Sequence, residues 1–361
     1  MVRMASRHFI LLLGAFLVLM LVSGARGDGV SSNWQWHAIG AAGEWAHSDS
    51  YSAISSAGAS CPFASVMNTD GISYGGFIYP FDRRVMRTKD DFDGDAKSDN
   101  WFYYAPGQVW YIVYSSATQT VTRTVFGLPN AAAIPEDFDG DHLTDFAVYQ
   151  ESSGTWIALL SSQDYASVSV AFGGSGWTAI PADYDGDQKA DPAVYNRALG
   201  TWMVMMSTEG YNVVSGNNGG SGYTPLAGDF DEDDRFDPVV YNESSAAVAI
   251  LLSGSDYLPV SAGFGGQGFS LLTEDYDGDG CADLAAYGRD SGLWYVINYK
   301  LEHLIWGRVW GGAGYQPLAG DYDGDGLADA AVFYRTQHDA IWYMDESTDG
   351  PQSISGRSDR R

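Results

Sequence analysis

Six acidic segments of nine residues begin at residues 91, 137, 183, 229, 275 and 321, so every interval is 46. They read DFDGDAKSD (91–99), DFDGDHLTD (137–145), DYDGDQKAD (183–191), DFDEDDRFD (229–237), DYDGDGCAD (275–283) and DYDGDGLAD (321–329). A spacing kept six times without insertion marks one structural unit repeated along the chain. Each unit must then bury its apolar surface against its neighbours. Other columns share the register. An aromatic residue stands twelve positions after the first Asp: Tyr103, Tyr149, Tyr195, Tyr241, Tyr287 and Phe333. Trp stands nineteen after it at Trp110, Trp156, Trp202 and Trp294; Val248 replaces it once, and Trp342 arrives two residues late. Glycine-rich turns precede the loops: FGLP (126–129), FGGSG (172–176), NGGSG (218–222), FGGQG (264–268) and WGGAG (310–314).

Within one unit the pattern resolves into four short β segments, for example 176–183, 192–196, 200–206 and 211–217. Helical periodicity is scarce, and Val/Tyr/Trp-rich runs alternate with Gly, Asp and Asn. The chain is therefore expected to be all-β. Four strands per unit of about 45 residues predicts a β-propeller of six four-stranded blades over residues 85–344. The Trp and Tyr columns are expected to pack between blades. The tail 345–361 is polar and is expected to be disordered. ISYGGFIYP (72–80) lies in the phase of an outermost strand, so it is expected to complete the blade containing 321–344 and close the ring from the N-terminal side. Residues 28–84 then form a cap and this closing strand. The alternative is seven blades, with a degenerate first one.

Residues 1–27 read as a signal peptide. Arg3 and Arg7 precede an apolar run (9–22), and SGARG (23–27) offers small residues for cleavage. A retained signal anchor is the alternative, although the run is short for a membrane span. Removing these residues takes away three Arg and no acid, so the formal charge moves from -27 to -30. That excess argues against nucleic acid or anionic membrane as partner. The expected location is secreted or cell-surface, extracellular or periplasmic, with no membrane insertion after cleavage. In that setting the only two cysteines, Cys61 and Cys281, can form a disulfide, the Cys281 side chain being expected to be accessible. NES (242–244) fits the glycosylation triplet.

Carboxylates at loop positions one, three, five and nine, with a carbonyl at seven, can wrap a hard cation. Calcium accepts six to eight oxygens in irregular geometry, whereas magnesium demands an octahedron and keeps its water. Zinc would want His or Cys. The expected ligands of up to six Ca2+ ions are Asp91, Asp93, Asp95 and Asp99; Asp137, Asp139, Asp141 and Asp145; Asp183, Asp185, Asp187 and Asp191; Asp229, Asp231, Asp233 and Asp237; Asp275, Asp277, Asp279 and Asp283; and Asp321, Asp323, Asp325 and Asp329. Position four is Gly except at Glu232. Position six is Gly280 and Gly326 in two loops, which rank highest for a positive φ; Ala96 and Gln188 rank their loops lowest. The ions are expected chiefly to hold the loops together.

GDYDGDGLADAAVF (320–333) and the FGGSG turns resemble the FG-GAP and VCBS repeats of secreted bacterial proteins, the repeat type of integrin α propellers. The resemblance implies calcium on one face and ligands on the other, with the Asp columns as ligands of the ion. Departures at position six and at Glu232 bear on how many loops fill. The opposite face would carry Arg197, Arg289 and Arg335 in one column, candidates for gripping an acidic glycan or carboxylate. The expectation is a binding or adhesion module for an extracellular protein or glycan, and not an enzyme. The alternatives are a polysaccharide lyase or hydrolase on a propeller scaffold, or a structural surface protein. No HExxH motif is present, and the histidines share no spacing.

Overall fold

The computed structural model describes residues 21–22, 88–117, 121–335, 339–346 and 350–357. The described residues form six antiparallel sheets arranged as the blades of a ring, the six-bladed propeller that the repeat predicts. Blade two consists of Ala132–Ala133, Phe146–Gln150, Thr155–Leu160 and Ala166–Ala171, innermost strand first. Blade three is Trp177–Ala179, Ala193–Asn196, Thr201–Met206 and Asn212–Asn217; blade four is Thr224–Gly228, Asp237–Asn242, Ala247–Leu252 and Leu258–Gly263. Blade five is Phe269–Glu274, Asp283–Gly288, Leu293–Ile297 and His303–Val309. Blade six is Gln316–Gly320, Asp329–Arg335, Asp339–Glu346 and Gly350–Arg357. Blade one shows Asn100–Tyr104, Val109–Val113 and Val121–Val125. A two-residue strand, Leu21–Val22, adds to the outer edge of blade four.

Burial runs as the strand sequences require. The second strands, such as Ala193–Tyr195, are buried on both faces and are apolar throughout. The third strands alternate: Trp202, Val204 and Met206 point inward from Thr201–Met206. The outermost strands Ala166–Ala171 and Asn212–Asn217 are exposed along their whole length, so nothing demands an apolar pattern from them.

That exposure accounts for one correction. The outermost strand of blade six is Gly350–Arg357, paired with Asp339–Glu346 from Asp339↔Arg357 to Glu346↔Gly350. The tail is therefore a strand, and residues 72–80 are not needed in that blade. Those residues lie outside the described ones. SISGR (353–357) shows no strand signal because an outer strand needs backbone pairing more than apolar side chains. Among the described residues, blades one and six are joined by packing and by loop hydrogen bonds. Val113, Phe102 and Val121 of blade one meet Trp342, Met344, Ala331 and Phe333 of blade six. Lys89 also reaches past blade six to Glu274 of blade five, 2.8 Å away.

The repeated register of Tyr and Trp has a structural cause. Trp110, Trp156, Trp202 and Trp294 are 0–4% exposed and pack against Val148, Val194, Val240 and Val332 of the following or next-stacked blade. The Tyr hydroxyls clasp the turn leading to the next blade. Tyr195 donates to the Asn218 carbonyl (3.0 Å) and accepts from the Gly220 N–H (2.9 Å). Tyr241 does the same with Gly266, at 3.0 and 2.7 Å, and Tyr287 with Gly312, at 3.2 and 2.7 Å. A Cβ added at Gly219 would sit 3.0 Å from the Tyr195 hydroxyl, so that turn must be glycine. In blade six the same position is Phe333, which carries no hydroxyl.

Between blades two and three lies an apolar cavity of about 350 Å³, lined by Phe138, Trp156, Ala158, Ala190, Pro192 and Met205 among others. Ala158 leaves this space: the same column holds Ile112, Val204, Ile250 and Val296 in other blades.

Tyr195→Phe removes two hydrogen bonds and leaves a turn N–H and carbonyl unmet. Denaturant unfolding should show a loss of about 1–3 kcal/mol. An unchanged midpoint would mean the clasp contributes nothing.

Candidate metal centres

In blades two to six each acidic loop joins the innermost to the second strand, in blade one it precedes Asn100–Tyr104, and all six repeat one hydrogen-bond scheme. The position-one carboxylate accepts from the N–H groups of positions four and six. Asp137 takes Gly140 (2.6 Å) and His142 (2.9 Å), Asp183 takes Gly186 (2.6 Å) and Gln188 (2.7 Å), and Asp321 takes Gly324 (2.6 Å) and Gly326 (2.9 Å). This double contact bends positions four and six into positive φ. Gly94, Gly140, Gly186, Gly278 and Gly324 lie between 77° and 82°. At position six Ala96, His142, Gln188 and Asp234 lie between 64° and 69°, with Gly280 and Gly326 at 85° and 87°. All six loops therefore hold one conformation, whatever residue stands at position six. Four of them accept the strain of a non-glycine residue there.

Position five turns to the position-seven N–H, as in Asp141 to Leu143 (2.9 Å) and Asp187 to Lys189 (2.9 Å). Position nine accepts from position two and from the end of the third strand: Asp145 takes Phe138 (2.9 Å) and Ser161 (2.7 Å), and Asp237 takes Phe230 (2.9 Å) and Ser253 (2.7 Å). Positions one, three and nine converge in four loops: Asp91, Asp93 and Asp99; Asp137, Asp139 and Asp145; Asp183, Asp185 and Asp191; Asp229, Asp231 and Asp237. In the fifth loop the converging set is Asp275, Asp277 and Asp279. In each set one oxygen per carboxylate lies within 4.8 Å of the others. Asp233 and Asp279 at position five face Arg235 (3.0 Å) and Lys300 (3.6 Å).

A second column of polar residues completes the scheme. Ser115, Ser161, Ser207 and Ser253 follow the third strand, twenty-four positions after the first Asp, and their hydroxyls donate to position five, for instance Ser207 to Asp187 (2.8 Å). The next residue reaches position three: Ser116 donates to Asp93, and Thr208 to Asp185 (2.7 Å). The recurrence of SS, SS and ST in register is the sequence signal for it.

The loops are tied to one another. The position-eight N–H of each donates to the position-one carbonyl of the preceding loop: Thr144 to Asp91 (2.6 Å), Ala190 to Asp137 (2.7 Å), Phe236 to Asp183 (2.7 Å), Ala282 to Asp229 (2.5 Å), Ala328 to Asp275 (2.7 Å) and Ser98 to Asp321 (2.6 Å). The last bond joins blade one to blade six, so the array is a closed circle. The position-seven side chain of each loop covers position four of the preceding one. Leu143 lies over Gly94, Lys189 over Gly140, Arg235 over Gly186, Leu327 over Gly278 and Lys97 over Gly324, where an added Cβ would meet them at 2.6–3.1 Å. The exception explains itself. Cys281 is the short residue at position seven of loop five, and the position it would cover is Glu232. Cys281 is fully buried and disulfide-bonded, a correction to its expected accessibility. Cys61 lies outside the described residues.

Arg197, Arg289 and Arg335 stand on three different blades. Arg289 pairs with Glu243 of blade four (2.6 Å), and Arg335 lies over the rings of Phe102 and Tyr104 of blade one. Arg197 is exposed.

Burial pushes the position-nine carboxyls up: Asp145 to about 6, Asp99 and Asp191 to about 7, Asp237 and Asp283 to about 8. Backbone N–H groups offset part of this. At position one Asp229 is raised to about 7, first by burial and then by Asp233 and Asp231. No family model matches the chain, and no curated protein matches it by sequence. Among solved structures it is similar to an Agrocybe aegerita lectin that recognises non-reducing terminal N-acetylglucosamine (14% identity, TM-score 0.47, 72% of this chain and 76% of that one). It is also similar to virginiamycin B lyase from Staphylococcus aureus (7%, 0.45, 73% and 82%) and to a streptogramin B lyase (6%, 0.44, 72% and 80%). At these values the likeness bears on no function.

The raised carboxyls set the pH response of the chelator-treated protein. Their folded pKa values exceed the unfolded value of about 4, so their contribution is complete below that pH and is lost as pH rises through 6 to 8. Melting temperature in chelator should fall across that window; a flat or rising profile would contradict the burial assigned to position nine.

Proposed function

We propose that the acidic loops are divalent-cation sites suited to calcium. On this reading the protein is a secreted or surface-exposed propeller of the FG-GAP/VCBS kind that binds an extracellular protein or glycan. One observation carries the metal reading. Asp231 and Asp283, 4% and 0% exposed, each bury a carboxylate oxygen that has no hydrogen-bond partner inside an acidic cluster. Asp139 and Asp185 do so as well. A buried carboxylate oxygen left unpaired is costly. A cation at the cluster removes that cost. The donors are all oxygen, which suits calcium and disfavours zinc.

The residues fit such an ion. In the first four loops positions one, three and nine would hold it, and in the fifth positions one, three and five. The ion supplies positive charge where the carboxylates repel. The chain's own residues supply the rest: position one fixes the loop, positions seven and eight lock it to its neighbour, and the Ser column orients positions three and five. Loops so held leave the opposite face, built from the strand turns at 151–154, 196–200, 242–246 and 288–292, free to meet a partner. Arg197 is exposed there, on a chain whose formal charge is otherwise strongly negative. This favours an acidic group as the part recognised.

Calcium in excess should raise the melting temperature well above its value in chelator, and magnesium should do so less. Asp237→Asn should lower the number of ions bound by one. A melting temperature indifferent to chelator would dispose of the metal reading. On a glycan array, calcium-loaded protein should be retained by acidic glycans, and Arg197→Ala should weaken that retention several-fold; equal retention by the variant would remove Arg197 from the partner site.

A further inference from the structure

We infer that the six loops fill as one cooperative ring, and that the position-seven side chains and the position-eight N–H groups, which are not candidate ligands, set the coupling. This rests on the calcium reading above. The residue whose side chain would hold an ion at position one also offers its carbonyl to the next loop. The donor there is the residue beside that loop's position nine, itself a candidate ligand. The six bonds are uniform, 2.5–2.7 Å, and close on themselves between Ser98 and Asp321. A loop opened by carboxylate repulsion takes the acceptor away from its follower. A loop drawn together by an ion presents that acceptor and places the next position nine before an ion arrives there. Coupling of this kind needs only that order in one loop lower the entropy of ordering the next.

The side chains add a second tie. Leu143, Lys189, Arg235, Leu327 and Lys97 each rest on the preceding loop, and Lys97 Nζ also donates to the Asp323 carbonyl (2.7 Å). Loops four and five form the one seam where this cover is replaced by the pair Glu232 and Cys281, while the backbone bond from Ala282 to Asp229 remains.

Electrostatics alone gives the opposite behaviour. On a chain of formal charge -27, each bound cation weakens the field that attracts the next. Independent loops therefore predict a Hill coefficient at or below unity, and a value above unity requires structural coupling.

The experiment is a calcium titration of the full chain with a competing chelator dye. A Hill coefficient above unity is expected. Leu143→Ala, which removes cover without altering charge, should lower it while the number of ions bound stays the same, and Leu143→Met should restore it. A second measurement uses Asp145→Asn and hydrogen exchange in calcium. The Ala190 amide, bonded to Asp137 of the altered loop, should exchange faster, and the Ala328 amide should not. A Hill coefficient at or below unity, a Leu143→Ala variant as steep as the parent, or an unchanged Ala190 amide would each overturn the inference. Absence of any calcium uptake would instead overturn the metal reading, and this inference with it.

Discussion

The bond on which the ring depends is short and local: a carboxylate folded back onto two N–H groups of its own loop. Asp137 with Gly140 and His142 is one instance, and the other loops repeat it. It forces two residues into positive φ and so fixes the width of the loop. With that width set, the position-eight N–H meets the preceding loop's carbonyl, and the position-seven side chain settles over position four. The position-nine carboxylate, pinned by position two and the end of the third strand, ties the loop to the body of its blade. A charge-assisted hydrogen bond of this type is about twice as strong as a neutral one.

The same economy appears on the opposite face. There a neutral hydroxyl does what the carboxylate does here. The Tyr column clasps the glycine turn, the Trp column fills the gap between blades, and the indole N–H of Trp110 and Trp156 caps the carbonyl before the turn at 3.1 Å. The two faces are thus held by different chemistry: an ionised ring that responds to pH, and a ring of phenols and glycines that does not titrate near neutrality.

Most of the architecture could be read from the chain because the interval never varies. A repeated unit states its own boundaries, and strands buried on both faces, such as Ala193–Tyr195, advertise themselves by composition. The outer strand of blade six could not be read, since Gly350–Arg357 needs no apolar pattern. At position six the loops with glycine are not alone in their backbone: Ala96 and Gln188 take the same positive φ because Asp91 and Asp183 hold it. The candidate ligands were visible as a spacing. The Ser column and the cover of position seven over position four were in the sequence as well, but their meaning requires knowing that adjacent loops touch. Cys281 reads as an accessible thiol from its loop position, yet it is buried and disulfide-bonded.

Blade six draws its four described strands from residues 316–357. The junction between blades one and six is a face of side chains, Phe102 and Val113 against Trp342 and Met344, with the Ser98 bond at its rim. A propeller stitched by a shared strand resists tension as a hydrogen-bonded ladder does, in shear. Among the described residues no strand is shared across this joint, so tension there falls on side-chain packing and on the bonds at its rim, Ser98 to Asp321 and Lys97 to the Asp323 carbonyl.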